Sequence, residues 1–285
     1  MASLKDLRRR IRATKSMQQI FKAMEMVAAA KLRRAQLRAQ AAAPYAEKIT
    51  AMLGNLAGAA TELNHPLFKA RAVKTGALVV ITADRGFAGA YNTNIMRAAE
   101  QRLRAEPKGS LQVVVVGRKG RDYLRRRGVP ILAAHTDLPG EASLALARTL
   151  TDDLTARFLA GEIDRVEVMY SHFVNALVRR VRTETFLPVG AGAAASDGRD
   201  RGMIFEPDAE RIFAEILPRY ATAKLYAAMA DALASEHSAR MVAMGSARKN
   251  AGELVDSLTL TRNRLRQAAI TREIAELVGG AEALK

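Results

Sequence analysis

Residues 4–35 read LKDLRRRIRATKSMQQIFKAMEMVAAAKLRRA, and this stretch decides the fold. Its apolar residues step by three and four: Leu4, Leu7, Ile11, then Phe21, Ala28 and Leu32, with Ala35, Ala39 and Ala42 continuing the row. That spacing places them on one face of a helix. Met17, Ile20, Met24 and Val27 form a second row that is expected to widen the face, while Thr14, Gln18 and Glu25 interrupt it. Neither Gly nor Pro occurs between residues 4 and 43, so nothing local stops the helix. Pro44 lacks an amide donor and is expected to kink or loosen it, and the pattern resumes through Ile49, Leu53 and Leu56 as far as Gly58.

A helical pattern of similar kind fills the other end of the chain. It opens after Glu206-Pro207-Asp208, where a proline leaves no hydrogen bond unmade, and Pro218 is expected to bend it without ending it. Leu225, Met229 and Leu233 lead to Met244, Ala251, Leu258 and Leu265 at sevenfold spacing, with Gly279-Gly280 expected to stop the helix after Val278. At 1.5 Å per residue the two helices would be ~80 and ~110 Å long. Each stripe needs a partner, and the nearest candidate is the other helix. The pattern therefore predicts an antiparallel coiled coil made from the two chain ends.

Between them the period changes. Residues 77–82 (ALVVIT), 112–116 (QVVVV), 129–133 and 165–173 are short β-branched or apolar runs. Helical patterns alternate with them near residues 91–105, 119–127 and 141–160, which predicts a small, mainly parallel, Rossmann-like α/β sheet. Residues 177–189 follow closely and read as an antiparallel edge strand. The expected organisation is a coiled-coil helix over 1–60, an α/β domain over 75–190, a flexible connection over 191–206 and a second coiled-coil helix over 207–285.

Composition narrows the function. The 285 residues contain no cysteine, which excludes disulfides, thiolate nucleophiles and cysteine-ligated zinc within the chain. No apolar run approaches the ~20 residues of a spanning helix. The net charge is +16, and residues 1–48 hold 12 Lys/Arg against 3 Asp/Glu, which calls for an anionic partner. The Arg-rich start resembles a mitochondrial transit peptide, but Asp6 and the unbroken periodicity argue against that reading.

A catalytic constellation is not legible. The glycine cluster in 82-TADRGFAGA-90 lacks the GxGxxG order and reads as a tight turn packed on another subunit, and Gly117-Arg118-Lys119-Gly120 is a similar turn. His65, His135, His172 and His237 have no metal-ligand spacing, and His237 beside Glu236 reads as a surface pair. Arg125-Arg126-Arg127 reads as a solvated helix end. A basic nucleic-acid binder would interleave aromatics for stacking, and aromatics make up only 5% here. A coiled-coil scaffold would form a homodimer, and an enzyme on the α/β insert would need a nucleotide site.

Four regions in the family's order carry a resemblance to a known family. Residues 4–35, with KAMEMVAA at 22–29, resemble the N-terminal helix of ATP synthase γ subunits. Residues 234–251 (ASEHSARMVAMGSARKNA) and 258–284 (LTLTRNRLRQAAITREIAELVGGAEAL) resemble their C-terminal helix. The central ITADRGFAGAYNTNI (81–95) is similar to a family loop usually written DRGLCGxxN, with Phe87 in place of Leu and Ala88 in place of Cys. MIFEPD (203–208) resembles the segment that opens the C-terminal helix.

The resemblance implies a non-catalytic rotor shaft inside a hexamer of three α and three β subunits, with hydrolysis and synthesis on β. It implies further partners in the ε subunit and the membrane c-ring, one copy per complex, no cofactor, and a peripheral place on the cytoplasmic face of the plasma membrane. By the same resemblance Arg266 and Gln267 engage a β catch loop and Met24 and Lys22 face the β lever. Met203, Ile204, Phe205 and Glu206 would meet the c-ring and ε. The dithiol insert of plastid γ subunits is missing.

Overall fold

The computed structural model describes residues 3–59, 65–189 and 209–282. The elements run α1 (Leu4–Ala59), β1 (Gly76–Ile81), α2 (Tyr91–Arg104), β2 (Leu111–Val116), α3 (Arg118–Arg126), β3 (Ile131–His135), α4 (Leu144–Leu159), β4 (Arg165–Phe173), β5 (Arg179–Leu187) and α5 (Ala209–Glu282). They make two compact units, residues 1–28 with 241–285 and residues 29–240.

In the larger unit the five strands lie in the order β3-β2-β1-β4-β5. The first four are mutually parallel and β5 pairs antiparallel to β4. The mixed α/β class, the parallel sheet and the antiparallel edge all match the sequence pattern. A parallel sheet is buried on both faces, and every residue of β1 is buried. Because side chains alternate across a strand, Ala77, Val79 and Ile81 join Val114 and Val116 on one face, packed by α4 and by Leu217, Leu225 and Ala232 of α5. Leu78, Val80, Val113 and Val115 point to the other face, where Tyr91 and Ile95 of α2 and Leu124 of α3 cover them. The result is three layers around a β-branched centre.

Turn chemistry fixes the sheet ends. Asp164 accepts the Lys74 and Thr75 amides at 2.9 and 3.0 Å and pairs with Arg71 at 2.8 Å. Those backbone donors, more than the arginine, hold its carboxyl below the usual range. Gly117, between β2 and α3, has φ +103, and a Cβ there would stand 2.3 Å from the Thr82 carbonyl oxygen. Only glycine fits such a backbone approach.

In the smaller unit α1 and α5 are antiparallel. A Cβ on Gly245 would lie 3.2 Å from Glu25 Oε1, and one on Gly252 would lie 2.8 Å from Gln18 Nε2. Seven residues down one helix thus correspond to seven residues up the other. Leu7, Ile11, Thr14 and Ala28 of α1 are buried, as are Met244, Ala251 and Val255 of α5.

Three expectations are corrected. The row Met17, Ile20, Val27 does not widen the buried face: these residues are exposed, because a two-helix seam covers only a narrow arc. Thr14 does not interrupt the seam. It is buried within it, its hydroxyl donating to the Arg10 carbonyl at 2.9 Å. Helix α5 does not stop at Gly279-Gly280 but runs through both to Glu282. Glycine weakens a helix by about 1 kcal/mol yet keeps its amide donor, and no proline follows. The two internal prolines behave as expected in one respect, since neither Pro44 nor Pro218 ends its helix.

Gly117→Ala is expected to lower unfolding free energy by roughly 2–5 kcal/mol, through a forbidden φ and a backbone clash. Gly128→Ala, at φ +68 in open space, should cost only about 1 kcal/mol. Urea titrations of both variants against the parent check the difference.

Candidate functional site

The larger unit carries a polar centre at the carboxyl ends of β1 and β2, where α/β sheets commonly hold ligands. Thr82 leaves β1 and donates its hydroxyl to Val116 O at 3.0 Å while accepting Gly120 N at 3.0 Å. Asp84 accepts the Arg118 amide at 2.7 Å and the Leu138 amide at 2.6 Å. A carboxylate of the chain itself therefore takes an amide at the start of α3, where helix donors lack internal partners.

The turn that follows is clamped to α5. Arg240 donates to the Gly86 carbonyl from Nε and Nη2 at 3.4 and 3.3 Å and to Glu236 Oε1 at 2.5 Å. Tyr91 donates its hydroxyl to the Ala232 carbonyl at 3.1 Å. A cleft of about 520 Å³ remains, with Lys31, Asp84, Arg118, Glu236, His237 and Arg240 on its walls. The turn does pack tightly, as the glycines suggest, but on the chain's own C-terminal helix. Phe87 stands outside this clamp: it has φ +60 and is 72% exposed. A bulky residue held at positive φ and left in solvent is uncommon.

His237 and Glu236 are not a surface pair. His237 is buried, because Ala232, Ala234, Ser235, Ser238 and Ala239 around it let α5 press against its neighbours. Desolvation, then the Arg240 and Lys31 cations, push its pKa down to about 4. Desolvation raises the Glu236 carboxyl above its usual value, against the opposing pull of Arg240. Among the described residues no group of three or more His, Cys, Asp or Glu is placed to hold a metal ion, and no helix is long and apolar enough to cross a membrane.

The smaller unit carries four of the residues singled out in the sequence. Lys22 is exposed on α1 and Met24 is half-buried, two residues away and so on a different face of the helix. Arg266 and Gln267 are both exposed on α5. The register sets Lys22 level with about residue 248, so the two pairs are separated by ~27 Å along the helices. They are two patches, not one site. Met203, Ile204, Phe205 and Glu206 lie outside the described residues.

Two groups expected to interrupt the seam, Gln18 and Glu25, instead belong to it. Glu25 receives Arg248 Nε at 2.8 Å across the helix pair, and Gln18 sits above Gly252. Their signal was available: Leu7, Ile11, Thr14, Gln18, Phe21, Glu25 and Ala28 keep an unbroken four-three spacing.

The histidine has a defined pH signature. Its folded pKa of about 4 lies below the ordinary 6.5, so the unfolded chain binds more protons between those values. The stability associated with a neutral His237 is complete above pH 6.5 and falls as pH drops toward 4, by about 3 kcal/mol. His237→Gln should flatten this slope relative to the parent, as read by urea midpoints at pH 7, 5.5 and 4.5.

Comparisons with known proteins follow the same outline. The sequence profile of the ATP synthase family matches residues 3–284. The chain is similar to the ATP synthase gamma chain of Moorella thermoacetica, at 47% identity over 285 residues and 100% of both chains. It is similar also to that of Desulforamulus reducens, at 48% identity over 285 residues and 100% of both. A chain of the Tetrahymena thermophila mitochondrial ATP synthase central stalk/c-ring structure superposes with a TM-score of 0.62 and 25% identity, covering 80% of this chain and 99% of that one. The Euglena gracilis mitochondrial ATP synthase (OSCP/F1/c-ring, rotational state 3) offers a likeness of fold: TM-score 0.72, 20% identity, 99% and 94% coverage.

Proposed function

Because the chain belongs to the ATP synthase family, as a gamma chain of the central stalk, we propose that it is the non-catalytic shaft that turns inside a hexamer of α and β subunits. Its rotation couples ion flow through the c-ring to ATP synthesis or hydrolysis on β. The chain is one copy per complex, contacts ε as well as the c-ring, and stays peripheral on the cytoplasmic face of the membrane.

The observation that carries this reading is the antiparallel helix pair with an unpartnered outer surface. One seam is buried, while Met17, Ile20, Met26 and Val27 of α1 and Ile270, Ile274, Leu277 and Val278 of α5 face outward. Exposed apolar rows of this extent mark an interaction surface. Basic side chains accompany them: Lys15 and Lys22 on α1, Arg264, Arg266 and Arg272 on α5, all exposed. A sleeve of apolar and acidic groups fits such a rod. Long-range attraction between exposed charges steers without imposing one register, which suits a part that must turn.

Within that sleeve Arg266 and Gln267 form the patch toward a β catch loop, and Lys22 with Met24 the patch toward a β lever. Their ~27 Å separation along the pair lets two different parts of β read one rotation. Met203, Ile204, Phe205 and Glu206 are assigned to the c-ring and ε.

Mixing the chain with cognate α and β subunits tests the reading. The expected product is a hexamer holding one copy of the chain, with ATP hydrolysis far above that of α and β alone. A homodimer that ignores α and β would sink it. Within an assembled complex, the Arg266→Ala, Gln267→Ala double variant should lower the stimulated hydrolysis about tenfold, the loss of one charge-assisted hydrogen-bonded contact. Lys22→Ala, an exposed single charge, should change it less than about twofold. Unchanged hydrolysis in the double variant, with assembly intact on native gels, would remove those two residues from the β contact.

A further inference from the structure

The four parallel strands all begin at one end of the sheet, and the helices that cross back between them finish there. Cations collect on that rim. Helix α2 closes at Arg104 and the chain passes Lys108 before β2, while α3 closes at Arg126 and Arg127 follows it before β3. Arg127 pairs with Glu100 of α2, which holds the two helix ends side by side. The carboxylates nearby are already taken. Glu106 receives Arg102 at 2.8 Å and Arg165 at 2.7 Å, Glu167 receives Arg102 at 2.8 Å, and Asp164 serves Arg71 and two backbone amides. Arg104, Lys108, Arg125 and Arg126 are exposed, and none of them lies in an ion pair among the described residues. A helix end attracts cations because its carbonyls leave about half a negative charge there. That accounts for one arginine at the end of α3, not for three in a row, and it does not extend to Lys108 in its turn.

We propose that this rim is a docking surface for anionic lipid headgroups. Its make-up separates that occupant from the other anionic ones. The stretches that carry the cations, residues 104–110 (RAEPKGS) and 125–130 (RRRGVP), expose no large apolar side chain, and Val129 packs half-buried against the core. A protein partner takes most of its affinity from a few anchors buried in pockets, and here there is none to bury. Single-stranded nucleic acid stacks its bases on open aromatic rings, but Tyr123 of α3 is covered by the Arg127 guanidinium, 3.7 Å from the ring centroid. A bilayer surface asks for neither. Each Lys or Arg brought close to anionic headgroups contributes about fivefold in affinity, and lipids diffuse to the cations, so no fixed complementary shape is needed. The rim belongs wholly to the larger unit, and its failure to bind would leave the rotor-shaft reading untouched.

The basic N-terminal helix would also attract anionic vesicles, so the test compares two sets of substitutions with equal loss of charge. The full chain is sedimented with vesicles of phosphatidylcholine, with and without about one third phosphatidylglycerol, at 0.1 M salt, where charges act over ~10 Å. Binding is expected only to the anionic vesicles. Arg104→Gln, Arg125→Gln, Arg126→Gln together should lower the partition coefficient at least tenfold, and Arg8→Gln, Arg12→Gln, Lys15→Gln less than about threefold. Equal losses from the two sets would overturn the proposal, since net charge alone would then explain the binding. Equal binding to both kinds of vesicle would overturn it as well.

Lys108→Glu lies outside any helix and supplies a second reading without altering a helix end. It should lower binding severalfold with the urea midpoint unchanged, and unchanged binding would remove this turn from the surface and refute the rim as drawn. Competition decides the occupant. If a poly-glutamate peptide or a short DNA duplex at equal charge concentration displaces the chain from the vesicles, and the rim variant loses affinity for that competitor by the larger factor, the surface belongs to an acidic polymer and the lipid assignment falls.

Discussion

An exposed helix of 56 or 74 residues cannot hide an apolar stripe within itself, and everything else in this molecule follows from where the stripes of α1 and α5 find cover. In the smaller unit they cover each other along a seam one side chain wide. In the larger unit α5 covers a sheet instead. There Leu217 and Leu225 are fully buried and Ala221, Ala228 and Ala232 nearly so. Small residues suit that second task, since a helix can approach a parallel sheet closely only if its contact face is thin.

Close approach has a consequence for polar groups. The same thin stretch of α5 carries Glu236, His237 and Arg240, which are drawn inside because their neighbours are Ala and Ser. Burial leaves His237 neutral and raises the Glu236 carboxyl, and Arg240 offsets part of the latter by bonding to both Glu236 and the Gly86 carbonyl. The Asp84 carboxylate meets the opening of α3 in the same spirit. Buried charges are tolerated only when their hydrogen bonds are met, and here meeting them ties the β1–α2 turn to the C-terminal helix. Breaking one partner would strand the others.

Much of this was legible in the residues. Periodicity separated the terminal helices from the sheet because β-branched runs such as 77–82 and 112–116 have no helical spacing, and the parallel order followed from helices lying between strands. Sevenfold recurrence of Met244, Ala251, Leu258 pointed to a coiled coil. What failed was depth. Met17, Ile20 and Val27 have the spacing of a core row, but periodicity cannot tell which of two adjacent apolar rows a single neighbour covers. Thr14 was discounted for its hydroxyl, although a backbone carbonyl four residues earlier satisfies it. His237 was set on the surface because charged neighbours in sequence suggest solvent, whereas the Ala and Ser flanking it decide burial. The proposal that Lys22, Met24, Arg266 and Gln267 face β came from resemblance alone, since an exposed arginine on a helix has no local mark of function.

The two kinds of surface on the helix pair pull in opposite directions mechanically, and their placement reconciles them. A shaft must not shear internally, which asks for directional contacts: Gln18 on Gly252 and Glu25 on Gly245 with Arg248 are polar, fitted and inside the seam. It must also turn against its surroundings, which asks for contacts without direction. The outer face supplies those, through exposed Met, Ile, Leu and Val rows and arginines whose attraction varies slowly with angle. At Gly279 and Gly280 of α5 there is no side chain at all, and nothing lies within 4 Å of where a Cβ on either glycine would point. The seam stays mainly apolar, but polar layers set within it and apolar rows left on the outside both depart from an ordinary globular surface. It is the distribution expected of a part that holds its own shape while moving within another.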